Sequence, residues 1–200
     1  MVEHTANRGI TVQLVGGPTA LVTYGGLRLL TDPTFDPPGD YERGPTILRK
    51  LDGPAIPADH GDAELAPRNG PVIGFVLQAQ DQPALYVSGD NASVDVVEEI
   101  ADRLGPIPVA VLFTGAANVP EVHGDVHVTL TAENAVRAAQ ALAAQAVIPI
   151  HNHGWRHFTE GAADVRDAFA RAGLSATLLV PAAGETVSAT ASIQPPAGPR

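Results

Sequence analysis

Asp90, in the run LYVSGDN, and the histidines of IPIHNHGWRHF are the side chains best suited to chemistry in this sequence. His151, His153 and His157 fall within seven residues of a chain that has only seven histidines. Neutral imidazole is the commonest metal ligand open to a chain without cysteine, and a carboxylate is the usual companion donor. The spacing therefore predicts a metal-type site around Asp90 and the histidine cluster. In an extended segment, His-x-His would set the His151 and His153 rings on one side. Each residue also has a plainer reading. Asp90 precedes an expected helix and could simply cap it, as could Asn91 or Ser93. His151 could be a strand-end histidine with structural hydrogen bonds only. His60, in PADHGDAE, reads on its own as a loop histidine. His123 and His127 are spaced HGDVH, and both read as solvated, because Gly124 and the valines disfavour a helix there. A metal-free alternative pairs Asp90 with His151 or His157 as acid and base. Ser88 stands close by, but no G-x-S-x-G elbow surrounds it.

The elements that must position these residues share one design: a buried strand ends and a polar residue follows at once. RLLT leads to Asp32, LYVSG to Asp90 and VIPI to His151. Loops at strand ends collect sites because the sheet holds them rigidly. Residues 10–31 read as three strands, with Gly25-Gly26 as a tight hairpin turn. Residues 32–70 are rich in Pro, Gly and Asp, with one short helix expected around Thr46–Leu51. VIGFVLQA and ALYVSG are the next strands, and helical spacing follows over Ser93–Leu104. VAVLFTG and AVIPI are continuous apolar runs, as strands buried on both faces require. Thr131–Gln145 is an alanine-rich helix with Thr131 as N-cap, and Thr159–Ala172 is a helix closed by Gly173. ATLLV is the expected last strand. The class is α/β in layers, a single domain over residues 1–187 with a disordered tail over 188–200.

The bulk numbers narrow the partners. The 200 residues carry a net charge of −10, with 44% hydrophobic residues and no cysteine. That length and composition support one real core. An acidic surface repels phosphate backbones and anionic lipid, so neither nucleic acid nor a membrane is an expected partner. Small anions remain open, since a bound cation can reverse the local field. Disulfides and thiolate chemistry are excluded. No apolar run approaches the ~20 residues of a membrane span, and the opening MVEHTANRGI has no apolar leader core. A cytoplasmic location is the expectation.

GGPTALVTYGGLRLLTDPTFDPPG, VIGFVL, LYVSGDN and IPIHNHGWRHFTEG, in that order, resemble the metallo-β-lactamase-fold superfamily. The nearest branch is the one containing ascorbate-phosphate-lactonase-like hydrolases. The resemblance runs from about Ile10 to Glu185 and implies an αββα sandwich with two metals, usually zinc and sometimes manganese or iron. The implied chemistry is metal-assisted hydrolysis of a small ester, lactone or phosphorylated molecule. By position, Asp32 matches an early structural aspartate, and His60, Asp90 and His151 match metal ligands. Trp155 and His157 match a site-lining W-x-H-F element. Asp90 and His157 are the expected catalytic residues; Asn91 and His153 line the site, His153 as a variant position without a family counterpart.

One departure is large. The family carries H-x-H-x-D-H between the TDP strand and the PADHG loop, and this sequence passes from KLDGPAI directly to PADHGDAE. The junction near Ile56–Pro57 reads as the loss of that motif with a strand and a helix. At most one metal is then expected, on His60, Asp90 and His151, or none. The alternative function is a non-catalytic relic or interaction module. Apolar sheet left uncovered by the loss would favour a homodimer.

Overall fold

The computed structural model describes residues 9–32, 38–43, 46–50, 74–79 and 81–191. Three strands open the chain: β1 (Ile10–Gly16), β2 (Thr19–Tyr24) and β3 (Leu27–Thr31). They form an antiparallel meander, and the β2–β3 turn uses Gly25 at φ +55° and Gly26 at φ +85°, which only glycine adopts freely. A two-stranded hairpin follows, β4 (Gly39–Arg43) and β5 (Thr46–Lys50). The helix expected around Thr46–Leu51 is therefore strand β5. Thr and Ile are β-branched types, and pairing with β4 supplies the ladder that a five-residue helix would lack.

The second sheet holds β6 (Phe75–Ala79), β7 (Gln82–Val87), β8 (Val109–Phe113) and β9 (Ala146–Ile150), in that order. β6 and β7 are antiparallel, whereas β7, β8 and β9 are parallel. Parallel neighbours need crossover connections, and helices supply them. α1 (Val94–Leu104) joins β7 to β8, α2 (Pro120–His123) and α3 (Ala132–Ala141) join β8 to β9, and α4 (Ala162–Arg171) follows β9. Ser93 caps α1 and Thr131 caps α3, each through its side-chain oxygen.

The two-residue period of the strands sorts the core into two layers. Val109, Val111 and Phe113 face the first sheet together with Leu85, Val87, Ile148 and Ile150. Ala110 and Leu112 face α1, α3 and α4, whose Val97, Ala135, Ala138 and Phe169 close the outer layer. Both faces of β8 are covered, hence its unbroken apolar run. Among the described residues the layers are sheet, sheet and helices, the α/β order of a metallo-β-lactamase-like fold. Residues 51–73, where the strand–helix loss was placed, lie outside the described residues.

Two C-terminal expectations change. ATLLV is not a strand: Ser175–Thr177 form a 3₁₀ turn, closed by Thr177 Oγ1 donating to the Leu174 carbonyl, and only Leu178 bridges to Val147. The last strand is β10 (Thr186–Ala189), which pairs antiparallel with β1 and carries the sheet two residues into the segment read as a tail. Among the described residues, no helix is long and apolar enough to cross a membrane.

Candidate metal centre

β7, β8 and β9 all end on one side, so the residues just past them form a cluster. Such crevices at the carboxyl ends of parallel strands are where open α/β sheets bind ligands. Past β7 lie Ser88, Gly89 and Asp90. Ser88 is fully buried; its Oγ accepts from the Phe113 amide at 3.0 Å and donates to the Gly89 carbonyl at 2.9 Å. Asn91 is structural too: its Oδ1 accepts from Ser93 N and its Nδ2 donates to Ser93 O. With Ser93 capping α1, Asp90 is not the cap, and its carboxylate is left for another role.

Past β9 lies His151, 7% exposed. Its backbone is left-handed at φ +57°, a conformation that costs a non-glycine residue about 1–3 kcal/mol. The segment is thus not extended here, and His151 and His153 do not follow a strand's alternation. Phe113 stacks on the imidazole at 4.7 Å and Phe158 tilts against it at 4.6 Å. Nε2 points at Asp90, 3.4 Å from Oδ1. Nδ1 is enclosed and hydrogen-bonds no other residue among those described.

Gly115, past β8, lets the His151 and Phe158 segment pack directly against its backbone. A Cβ there would stand 2.3 Å from the His151 carbonyl oxygen and 2.9 Å from the Phe158 ring. The 114–118 segment also holds the histidine loop by backbone bonds: Thr159 and Glu160 donate to the Gly115 carbonyl, and Asn118 donates to that of His157. Buried Asn152 donates to Thr114 Oγ1, and Glu160 accepts from the Ala132 amide at the start of α3. Trp155 lies 5.6 Å from His157 and 6.1 Å from Tyr41 of β4, and His157 stands edge-on to Phe158 at 4.8 Å. Arg156 N donates to Arg49 O, so the β4–β5 hairpin docks on this loop. Gly115, Asn152, Glu160 and Tyr41 were not singled out from sequence; only the glycine directly after VAVLFT gave a signal.

The electrostatics suit metal ligands. Burial pushes the His151 imidazole down to about 3, assisted by the charge of His153, so the ring is neutral at ordinary pH. Asp90 is 48% exposed, yet the protein around it displaces enough water to raise its carboxyl to about 6. Asp32, at the end of β3 with φ +41°, is raised to about 6 by burial and then by the charge of Asp90. The two carboxylates therefore feel one another.

Two ligands on one tetrahedral zinc, each about 2.0–2.2 Å from it, stand about 3.4 Å apart. The Asp90–His151 pair has that separation. Among the described residues no three His, Asp or Glu side chains converge on one point. His60 and His4 lie outside the described residues. His127 is half-buried with Nδ1 2.9 Å from the Ala116 carbonyl, so it is not the solvated residue expected; the fold turns HGDVH back onto the 114–118 segment. His123 ends α2, which stops at Gly124.

The sequence model of the beta-lactamase superfamily domain matches residues 28–152, a span that takes in Asp32, Asp90 and His151. The chain belongs to this superfamily. Among curated relatives, a UPF0173 metal-dependent hydrolase of Pyrococcus furiosus is 28% identical over 112 residues, 56% of this chain and 45% of that protein. A second, from Pyrococcus abyssi, is 27% identical over the same shares. The chain thus spans less than half the length of these superfamily members. An isothiocyanate hydrolase from Delia radicum gut bacteria superposes with a TM-score of 0.72 at 16% identity, covering 90% of this chain and 100% of that one. A structure described as a possible metal-dependent hydrolase from Veillonella parvula superposes with a TM-score of 0.53 at 25% identity, covering 74% and 56%. These likenesses agree with the superfamily fold read from TDPTFDPPG, SGDN and W-x-H-F.

Proposed function

We propose that this chain is a metal-dependent hydrolase of a small ester, lactone or phosphorylated molecule, working in the cytoplasm with a single metal. The observation that supports it most is the pair of donor atoms on Asp90 and His151, spaced for one cation at the carboxyl ends of parallel strands. Zinc suits this nitrogen–oxygen donor set, with manganese or iron as alternatives. A divalent cation bound there would polarise a substrate oxygen and lower the pKa of water.

The chain's own residues do the rest. Phe113 and Phe158 fix the His151 ring and keep water from it. Burial holds that ring in the neutral form that can ligate. Asp32 adds a second carboxylate facing Asp90, which favours a cation between strand ends. Trp155, His157 and Tyr41 form an aromatic wall beside the centre. His60 is the third donor that the sequence offers.

A second reading, a non-catalytic superfamily module, is supported by the missing H-x-H-x-D-H. One experiment separates them. The full chain is loaded with zinc, manganese or iron(II), its metal content is measured, and hydrolysis of simple esters, lactones and phosphodiesters is followed. Hydrolysis that requires metal and fails in Asp90→Asn, His151→Ala and His60→Ala supports the enzyme. A metal content near zero after loading overturns it in favour of the module.

A further inference from the structure

The His151 turn is held from the end of β8 by three consecutive residues, each in a different way. Phe113 stacks its ring on the imidazole. Gly115 brings bare backbone against the His151 carbonyl oxygen. Thr114, between them, extends the β8–β9 ladder by one rung, its amide donating to the Ile150 carbonyl at 3.0 Å. Its side chain then reaches the residue after the histidine: Asn152 Nδ2 donates to Thr114 Oγ1 at 3.0 Å. Both side chains lie in the interior, Thr114 at 0% exposure and Asn152 at 7%.

The first and the third of these residues act by shape. Apolar contact is non-directional, so it excludes positions without selecting one orientation of the turn. A hydrogen bond weakens steeply as its angle closes, so it fixes orientation as well as distance. Orientation matters at His151, whose left-handed φ of +57° persists only where the surroundings over-determine it. A buried amide–hydroxyl pair is also a poor device for stability alone. Apolar side chains of the same shape would fill the space at nearly equal stability, without desolvating two polar groups. What such a filling lacks is direction.

We infer that Asn152 is a positioning residue: its bond to Thr114 holds the left-handed turn that aims His151 Nε2 at Asp90 Oδ1. Through that bond the end of β8 sets where the end of β9 places its imidazole. The inference goes beyond the metal-dependent reading of the centre and rests on it only for the zinc arm of its test.

Three variants of the full chain separate positioning from stability: Thr114→Val, Thr114→Ser, and Thr114→Val combined with Asn152→Leu. Each is measured for its urea midpoint and its zinc affinity. The metal-free protein is measured for the NMR shifts of the His151 ring protons, which the stacked Phe113 ring displaces. Thr114→Val leaves the Asn152 amide buried without its acceptor, so the midpoint should fall. The double variant removes both polar groups, and its midpoint should return most of the way to that of the wild type. Its zinc affinity should nevertheless stay about 10–100-fold below wild type, the weight of a partner behind a ligand. Its His151 ring shifts should stay away from the wild-type values as well. Thr114→Ser keeps the acceptor oxygen and should match the wild type in affinity and ring shifts. A pair that served stability alone would let affinity and ring shifts recover with the midpoint, and that result overturns the inference. Should the double variant not fold, wild-type ring shifts in Thr114→Val overturn it equally. A wild type that binds no zinc sinks the metal reading instead, and the ring shifts then decide the positioning by themselves.

Discussion

His151 Nε2 lies 3.4 Å from Asp90 Oδ1, although the two residues follow β9 and β7, strands that β8 separates. Strand neighbours are about 4.8 Å apart, so residues two strands away must lean inward to meet. The lean comes from the left-handed turn at His151 and from the bare backbone of Gly115 beneath its carbonyl. Asp90→Asn and His151→Ala should therefore each weaken zinc affinity by at least about 10–100-fold, the loss that even outer partners of a ligand cause. Trp155 is the only tryptophan and stands beside His157, so its fluorescence can report the titration. Unchanged zinc affinity in both variants would remove the pair from the metal site.

Stability of the metal-free protein should depend on pH through the same residues, in opposite directions. His151 is depressed from 6.5 to about 3, so its contribution is whole above pH 6.5 and is lost as pH falls toward 3. Asp32 and Asp90 are raised from 3.8 to about 6, so theirs is whole below pH 3.8 and is lost as pH rises through about 6. Asp32→Asn isolates one carboxyl, and asparagine tolerates the φ of +41°. The variant should melt higher than wild type at pH 7 and at about the same temperature at pH 4. A difference of equal size at both values would mean that the charge of Asp32 is not what matters.

Where the sequence was legible, one physical cause governed a long stretch. VAVLF and AVIPI are apolar throughout because sheet and helices cover both faces, and Gly25-Gly26 marks a turn that glycine alone enters freely. Asp90 and His151 were legible because each follows such a strand. What stayed hidden depends on distant partners. TILRK becomes a strand by pairing with β4, and TVSA by pairing with residues 10–13 at the other end of the chain. Phe113 and Phe158 flank His151 from separate segments, and no local pattern announces that. His127 is half-buried only because residues 116–118 and 124–128 fold together.

Gly115→Ala should damage fold and site together. Its methyl would stand 2.3 Å from the His151 carbonyl oxygen, a backbone atom that cannot swing aside as a side-chain end could. Overpacking of this kind costs about 1–3 kcal/mol. The measured consequences should be a lower urea midpoint at unchanged slope and weaker zinc binding, because relief of the clash moves His151 away from Asp90. A variant with wild-type midpoint and zinc affinity would show that the 115 and 151 segments are not packed this closely.

Ser88→Ala should separate structure from chemistry at the residue beside Asp90. Ser88 Oγ is the acceptor for the buried Phe113 amide. Its removal leaves a buried N–H unsatisfied, at a cost of about 1–3 kcal/mol. Ser88 Oγ also donates to the Gly89 carbonyl, but that carbonyl keeps its bond from the Asn91 amide, and the bonds between Asn91 and Ser93 still hold the turn that carries Asp90. Zinc affinity of the folded variant should consequently stay within a few-fold of wild type, while its urea midpoint falls. Phe113 stacks on His151, so the small weakening that remains is transmitted through that ring. Should any hydrolysis by the metal-loaded chain vanish in Ser88→Ala while folding and zinc affinity persist, Ser88 would be a nucleophile and the metal-centred reading would fail.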